Sequence, residues 1–347
     1  MILIHKYIQS YNGQGGSMMK SYLVKKISVA VVAAALLTTG STAGVSVNLP
    51  YPKGKLSNAK EIMNNVYFVN HFFAYRNYSI IKAGRKITRV VKKSKGKKPL
   101  TMTVERYINN DYTSDPKIKS KDLAIFRSGK LRGMGMLITD YDNDAKSQQY
   151  LVWLPSLRKV RRFAQPAHDE AWGGTDFTFG DVTLRKPRHE KHKLLGVQKF
   201  GMKVRSLVIP KSEQTSATKR LPKSTNKYAN RQVYKVKSTT KFSGWWYDYR
   251  ITYIDTKTFG DYHTEYYKNG KKIKILDKSW PRATGSNDPR ALRWYTWYAK
   301  DLRNGHESLA YTPQRLARTN LTKFRVGKKK YNRSNLWQES TLRKIKR

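Results

Sequence analysis

The sequence contains no cysteine in 347 residues. That excludes a disulfide framework, Cys-ligated zinc, an iron–sulfur cluster, a catalytic thiol and a lipid-modified N-terminal Cys. Acid is also scarce. Asp and Glu number 23 against 70 Lys and Arg, a formal net charge of +47. Such an excess calls for a polyanionic neighbour: nucleic acid, an anionic membrane face or an acidic glycan. Histidines number 7, too few for a histidine-rich metal tract. Apolar residues are not lacking. At 39% hydrophobic and 12% aromatic, the chain can bury a core, which argues against wholesale disorder. Its length accommodates one large all-β domain or two ordinary ones.

The N-terminus reads as an address. Lys20, Lys25 and Lys26 precede the apolar run Ile27 to Leu37, and small residues follow through Ser41-Thr42-Ala43. This is the anatomy of a secretory signal peptide, with the cut after Ala43. The run is too short to cross a hydrocarbon core, which takes roughly 20 residues; the competing reading is a buried N-terminal helix. Met18 or Met19 is the expected start, because Met1 to Ser17 has no place in a signal peptide. An exported, cysteine-free chain suits a bacterial periplasm. No later stretch is long and apolar enough to span a membrane. The basic runs Lys92 to Lys98 and Lys328 to Lys330 each read as solvated loops. Without zinc-finger spacing or an RNP motif, and with export, nucleic acid is disfavoured. Their sum favours anionic lipid surfaces, at about 1 kcal/mol per well-placed cation.

After an extended entry carrying Pro50 and Pro52, Ser57 is placed to cap a helix. Ile62, Val66, Val69 and Phe73 recur on one helical face, so one amphipathic helix is expected through about Tyr75. From Leu100 the pattern turns to strands: Leu100 to Val104, Asp122 to Arg127, Gly133 to Thr139, Gln149 to Trp153 and Val204 to Ile209. Lys211 to Tyr228 is polar and reads as a mobile loop. Asn269-Gly270 and Asn304-Gly305, each between alternating or aromatic runs, mark antiparallel hairpins. The expected fold is α+β and mostly antiparallel: one early helix, then a meander of about ten strands forming a curved sheet or open barrel. No nucleotide-binding glycine motif follows a strand.

Chemistry finds little support. His189-Glu190-Lys191-His192 is the one close histidine pair; it reads as an exposed loop, not a zinc site. Asp140, Asp142 and Asp144 lack the glycine and glutamate of a calcium loop and read as a polar turn. No nucleophile elbow occurs. We therefore expect no enzyme and no cofactor; a secreted glycan hydrolase would need a facing carboxylate pair that the sequence does not display.

One constellation remains. An apolar strand ends in Trp153-Leu154-Pro155, a basic cluster follows (Arg158, Arg161, Arg162), and a loop leads to Trp172 and Gly174-Thr175-Asp176-Phe177-Thr178-Phe179-Gly180-Asp181. This segment resembles the LolA-like outer-membrane lipoprotein-sorting proteins of Gram-negative bacteria. Lys130 to Gly135 and Tyr253 to Phe259 resemble the family's flanking turns. The likeness covers about Ala59 to Tyr311, and more weakly Leu336 to Leu342. It implies an incomplete β-barrel over residues 44–315, closed by a helical lid, between the leader 1–43 and a basic C-terminal segment 316–347. It implies further an apolar cavity for the acyl chains of lipids or lipoproteins, and companionship with RND-type exporters. Trp153, Leu154, Arg158, Arg161, Arg162, Trp172, Asp176, Phe177, Phe179 and Asp181 are then cavity or rim candidates. Two readings stay open for the arginines: a rim for an anionic headgroup or partner, or ion pairs with Asp176 and Asp181 that lock the loop. For the aromatics the rival reading is ordinary core packing. Trp245 and Trp246, if in a strand, face opposite sides. A docking subunit with a filled core is the alternative function.

Overall fold

A computed structural model describes residues 44–82, 86–112, 114–208, 223–283, 286–313, 317–320 and 334–345. The leader 1–43, with its expected signal peptide, lies outside them. Helix α1 spans Ala59–Asn70. Its cap is Asn58, one residue after the expected Ser57: the Asn58 side chain accepts from the Lys60 amide at 2.9 Å. The stripe Ile62, Val66 and Val69 is buried as the spacing requires. The helix stops five residues before Tyr75 because Phe72 takes a left-handed φ of 57°; Phe73 lies past the helix yet stays buried.

The strands make two meanders. The first holds β1 (Asn77–Ile80), β2 (Thr88–Lys93), β3 (Leu100–Asn109), β4 (Ile118–Phe126), β5 (Gly135–Tyr141), β6 (Gln149–Leu154) and β7 (Lys159–Phe163). The second holds β8 (Glu190–Lys199), β9 (Val204–Val208), β10 (Lys223–Thr225), β11 (Gln232–Thr240), β12 (Tyr249–Asp255), β13 (Asp261–Lys268), β14 (Lys271–Ser279), β15 (Thr296–Asp301), β16 (Glu307–Tyr311) and β17 (Ala317–Asn320). They join where β16 pairs antiparallel with β2, Leu309 opposite Val91. The result is a 15-stranded sheet running β7-β6-β5-β4-β3-β2-β16-β15-β14-β13-β12-β11-β8, off which β1 pairs with β3 and β17 with β1. β9 and β10 form a separate ribbon. The expected mobile loop from Lys211 to Tyr228 is thus corrected in its last part: β10 pairs with β9 and Tyr228 is buried.

Asn269-Gly270 makes the expected tight turn between β13 and β14, both residues having positive φ. Asn304-Gly305 differs: only Gly305 is left-handed, and the Asn304 side chain instead accepts from the His306 amide. The segment 316–347 is tied to the sheet at two places. β17 pairs with β1. A short helix α2 (Glu339–Arg343) and its lead-in place Trp337 and Leu342 against Leu123, Ile125 and Leu137 on the convex face.

The sheet is open. Its free edges are β7 and β8, and these are consecutive in sequence, so residues 164–189 must cross the opening. They do so through the concave side, beside α1.

Candidate functional site

Residues 170–179 fold into a small hairpin pushed into the concavity. The Trp172 amide donates to the Phe177 carbonyl at 2.7 Å, and the Phe179 amide to Glu170 at 2.9 Å. Its tip is Gly173-Gly174, both with positive φ, a conformation open to glycine at little cost. Trp172 meets Phe126 of β4 at a ring separation of 6.0 Å. Phe177 meets Trp297 of β15 at 6.4 Å, and Phe179 meets Tyr150 of β6 at 6.2 Å. The Asp176 carboxylate accepts from Ser308 at 2.6 Å. The hairpin therefore touches both meanders and fills the space between them.

A π-helical turn, Gly180–Leu184, follows. It sets Asp181 among cations. Lys274 of β14 lies 2.5 Å from its carboxylate, Arg185 lies at 3.0 Å, and the Tyr266 hydroxyl donates at 2.6 Å. Burial alone would raise this carboxyl. Lys274 and Arg185 outweigh it and hold the group well below the usual range. Gly180 has no room for a side chain, because a Cβ would meet the His168 carbonyl at 2.8 Å. Next to this centre, Glu190 is held bidentate by Arg250. Burial opposes the Glu190 charge, but Arg250 brings its pKa down to about 2. Lys278 pairs with Asp261 at 2.8 Å and donates to Asn70 of α1. His71, just past α1, contacts the Thr183 carbonyl at 3.2 Å, and burial lowers its pKa to about 4. Helix, π-helical turn and β14 are thus laced by buried polar contacts. The cleft left between α1 and residues 180–190 is small, about 50 Å³. A larger groove of about 370 Å³ runs outside, between the entry segment Leu49 to Leu56 and α1.

Six of the ten candidates share the interior: Leu154, Trp172, Asp176, Phe177, Phe179 and Asp181. Trp153 does not. It points to the convex face and packs with the Trp337 cluster, because Leu154, its neighbour along β6, takes the inward side. Arg158, Arg161 and Arg162 are exposed along β7 and its turn. Their ion-pair reading is corrected: Asp181 is taken by Lys274 and Arg185, and Asp176 by Ser308. His189 to His192 is no exposed loop, since His192 bonds Ser238 and the Pro187 carbonyl. Asp144 is neutralised by Lys119 and Lys186. Trp245 and Trp246 lie in the loop before β12, and both pack on the core.

Lys274, Arg185, Arg250 and Lys278 were not foreseen from the sequence. Only Arg185, four residues after Asp181, carried a signal. No group of three or more potential metal ligands occurs among the described residues, and no described helix is long and apolar enough to cross a membrane.

Two solved structures share this architecture. One, from Vibrio parahaemolyticus, is a domain named for outer membrane lipoprotein sorting. It matches at 12% identity over 82% of this chain and 98% of its own, TM-score 0.56. The other is a DUF1329 family protein from Desulfovibrio piger, at 14% identity, 82% and 98% coverage and TM-score 0.56. The chain thus has the open curved-sheet fold that its central motif resembles. A family model described as "Uncharacterized protein" matches residues 119–221, which include that motif. No curated protein matches.

Proposed function

We propose that the chain is a non-enzymatic periplasmic carrier of lipid or lipoprotein acyl chains, and that the 170–179 hairpin occupies the acyl site when no cargo is bound. The observation that carries this reading is the hairpin itself: three large aromatics, inserted as one unit into the concave side of a carrier-like sheet. Re-exposing Trp172, Phe177 and Phe179 costs about 1.5–3 kcal/mol each. Burying an acyl chain of about sixteen carbons yields on the order of 12 kcal/mol before costs. The surplus is a few kcal/mol, enough to load and small enough to release. Asp181 stays anchored while the hairpin withdraws from Ser308. The export signal expected from the sequence, the basic charge and the exposed β7 arginines fit delivery near anionic envelope surfaces or to an RND-type exporter.

The filled interior also favours a second reading, in which the hairpin is permanent and the protein is an accessory docking subunit of an envelope exporter. Native mass spectrometry of the delipidated protein with palmitoyl lipids separates the two. The carrier reading expects saturable one-to-one uptake, tightened at least fivefold in Phe177→Ala, whose hairpin competes less well. Absence of uptake by folded wild type and by Phe177→Ala favours the docking subunit.

A further inference from the structure

The convex face of β8, β11 and β12 carries a pattern that the interior does not explain. Antiparallel register fixes its rows. Lys191 stands opposite Thr239, and Thr239 opposite Tyr249. Lys193 stands opposite Lys237, and Lys237 opposite Ile251. Lys235 stands opposite Tyr253. Directly opposed residues share a face, so four lysines lie together on the outside of two adjacent strands. None of the four forms an ion pair with a carboxylate among the described residues. Lys237 instead rests over the Tyr249 ring at 4.0 Å, and Lys235 over Tyr253 at 5.6 Å. Tyr249 stacks on Tyr267 of β13 at 4.8 Å.

Glu265 of β13, opposite Ile251, shares this face and is already engaged. Lys272 pairs with it, Tyr267 donates to it at 3.0 Å, and His263 lies at 3.6 Å. Apolar side chains complete the surface. Leu195, at the β8 bulge, is 43% exposed, and Ile251 is half-buried. Like charges set directly opposite each other destabilise a sheet, so the Lys193–Lys237 pair opposes folding unless an anion covers it.

We propose that this lysine–tyrosine face docks on anionic lipid headgroups. Lysine ammoniums that lack carboxylate partners attract phosphate surfaces within a Debye length. Tyr253 is buried, but Tyr249 and Tyr267 are half-buried; such rings and an exposed leucine are the side chains that settle at a lipid interface. An acidic polysaccharide would use the charges but gain nothing from Leu195. The face lies on the opposite side of the sheet from the acyl site, so docking leaves α1 and the hairpin free. The assignment is independent of whether acyl chains are carried.

The absence of cysteine makes the test clean. Leu195→Cys gives the purified chain a single attachment point for a polarity-sensitive dye. Flotation with vesicles of phosphatidylglycerol and phosphatidylcholine is expected to show salt-sensitive binding and a blue shift of the Leu195→Cys dye; pure phosphatidylcholine should give neither. Each well-placed cation contributes roughly fivefold in affinity. Neutralising Lys191, Lys193, Lys235 and Lys237 to Gln should therefore weaken binding at least about 50-fold. Neutralising Lys95, Lys97, Lys98 and Lys130, the same change in charge elsewhere, should cost only a few-fold. Equal losses in the two variants, or a dye that stays in water while the protein floats, overturn the proposal. So does a face variant that loses binding to an acidic polysaccharide but not to vesicles. Native mass spectrometry of acyl uptake on the same variants reports separately on the carrier reading and should not change.

Discussion

Asp181 holds the interior together at the scale of single residues. It is the last residue of the sequence motif and the acceptor for Lys274, Arg185 and Tyr266. Asp181→Ala would strand two buried cations. We expect a loss of about 3–5 kcal/mol in urea unfolding. Asp181→Ala with Lys274→Met should recover part of it, because an apolar replacement removes one orphaned charge. A loss under about 1 kcal/mol for the single variant is incompatible with Asp181 as the anchor of the interior. On the convex face, His263 gives the fold a pH signature. Burial lowers its pKa, but the hydrogen bond to Asp277 and the nearby Glu265 carboxylate more than offset this and raise it to about 9. The folded value lies above the ordinary 6.5, so the protonated form is favoured by folding. Its contribution is complete below about pH 6.5 and disappears as pH rises through about 9. Stability should fall by about 3 kcal/mol across that window, and His263→Gln should flatten the fall in a denaturation series. Asp181 was legible because it closed a motif. Lys274 was not: in Lys272-Ile273-Lys274-Ile275 the lysines read as the solvent face. β14 reverses this locally, placing Lys274 inside and Ile275 in a convex apolar cluster with Val91, Tyr298 and Leu309.

Elements were legible where local chemistry decides them. Asn269-Gly270 fixed one turn, and the helical stripe at Ile62, Val66 and Val69 fixed which face of α1 is buried. The arrangement of edges was not legible, because it depends on β2 meeting β16 across more than half of the chain. That long-range pairing is what makes β7 and β8 the free edges and sends 164–189 through the concavity. Side assignment on β6 was likewise decided from outside, by α2. With only five residues, α2 has little stability of its own, so Trp337 must supply its anchor. Trp337→Ala should speed exchange of the Glu339–Arg343 amides at least tenfold in hydrogen-exchange mass spectrometry, with β11 to β14 unchanged. Equal protection in the variant means that α2 is held by something else.

For the whole molecule, charge is sorted. Carboxylates such as Asp144, Asp181, Glu190, Asp261 and Asp277 are buried with cations, so among the described residues lysines such as Lys191, Lys193, Lys235 and Lys237 face outward without carboxylate partners. Among the described residues the excess positive charge is thus expressed outside, while the interior holds the aromatic hairpin that we propose exchanges with cargo. The most direct test of that exchange is hydrogen exchange at the amides of Trp172 to Phe179, with and without saturating palmitoyl lipid. An exchangeable hairpin predicts that lipid binding strips their protection while the amide of Asp181 stays protected. Bound lipid with the hairpin still protected contradicts it.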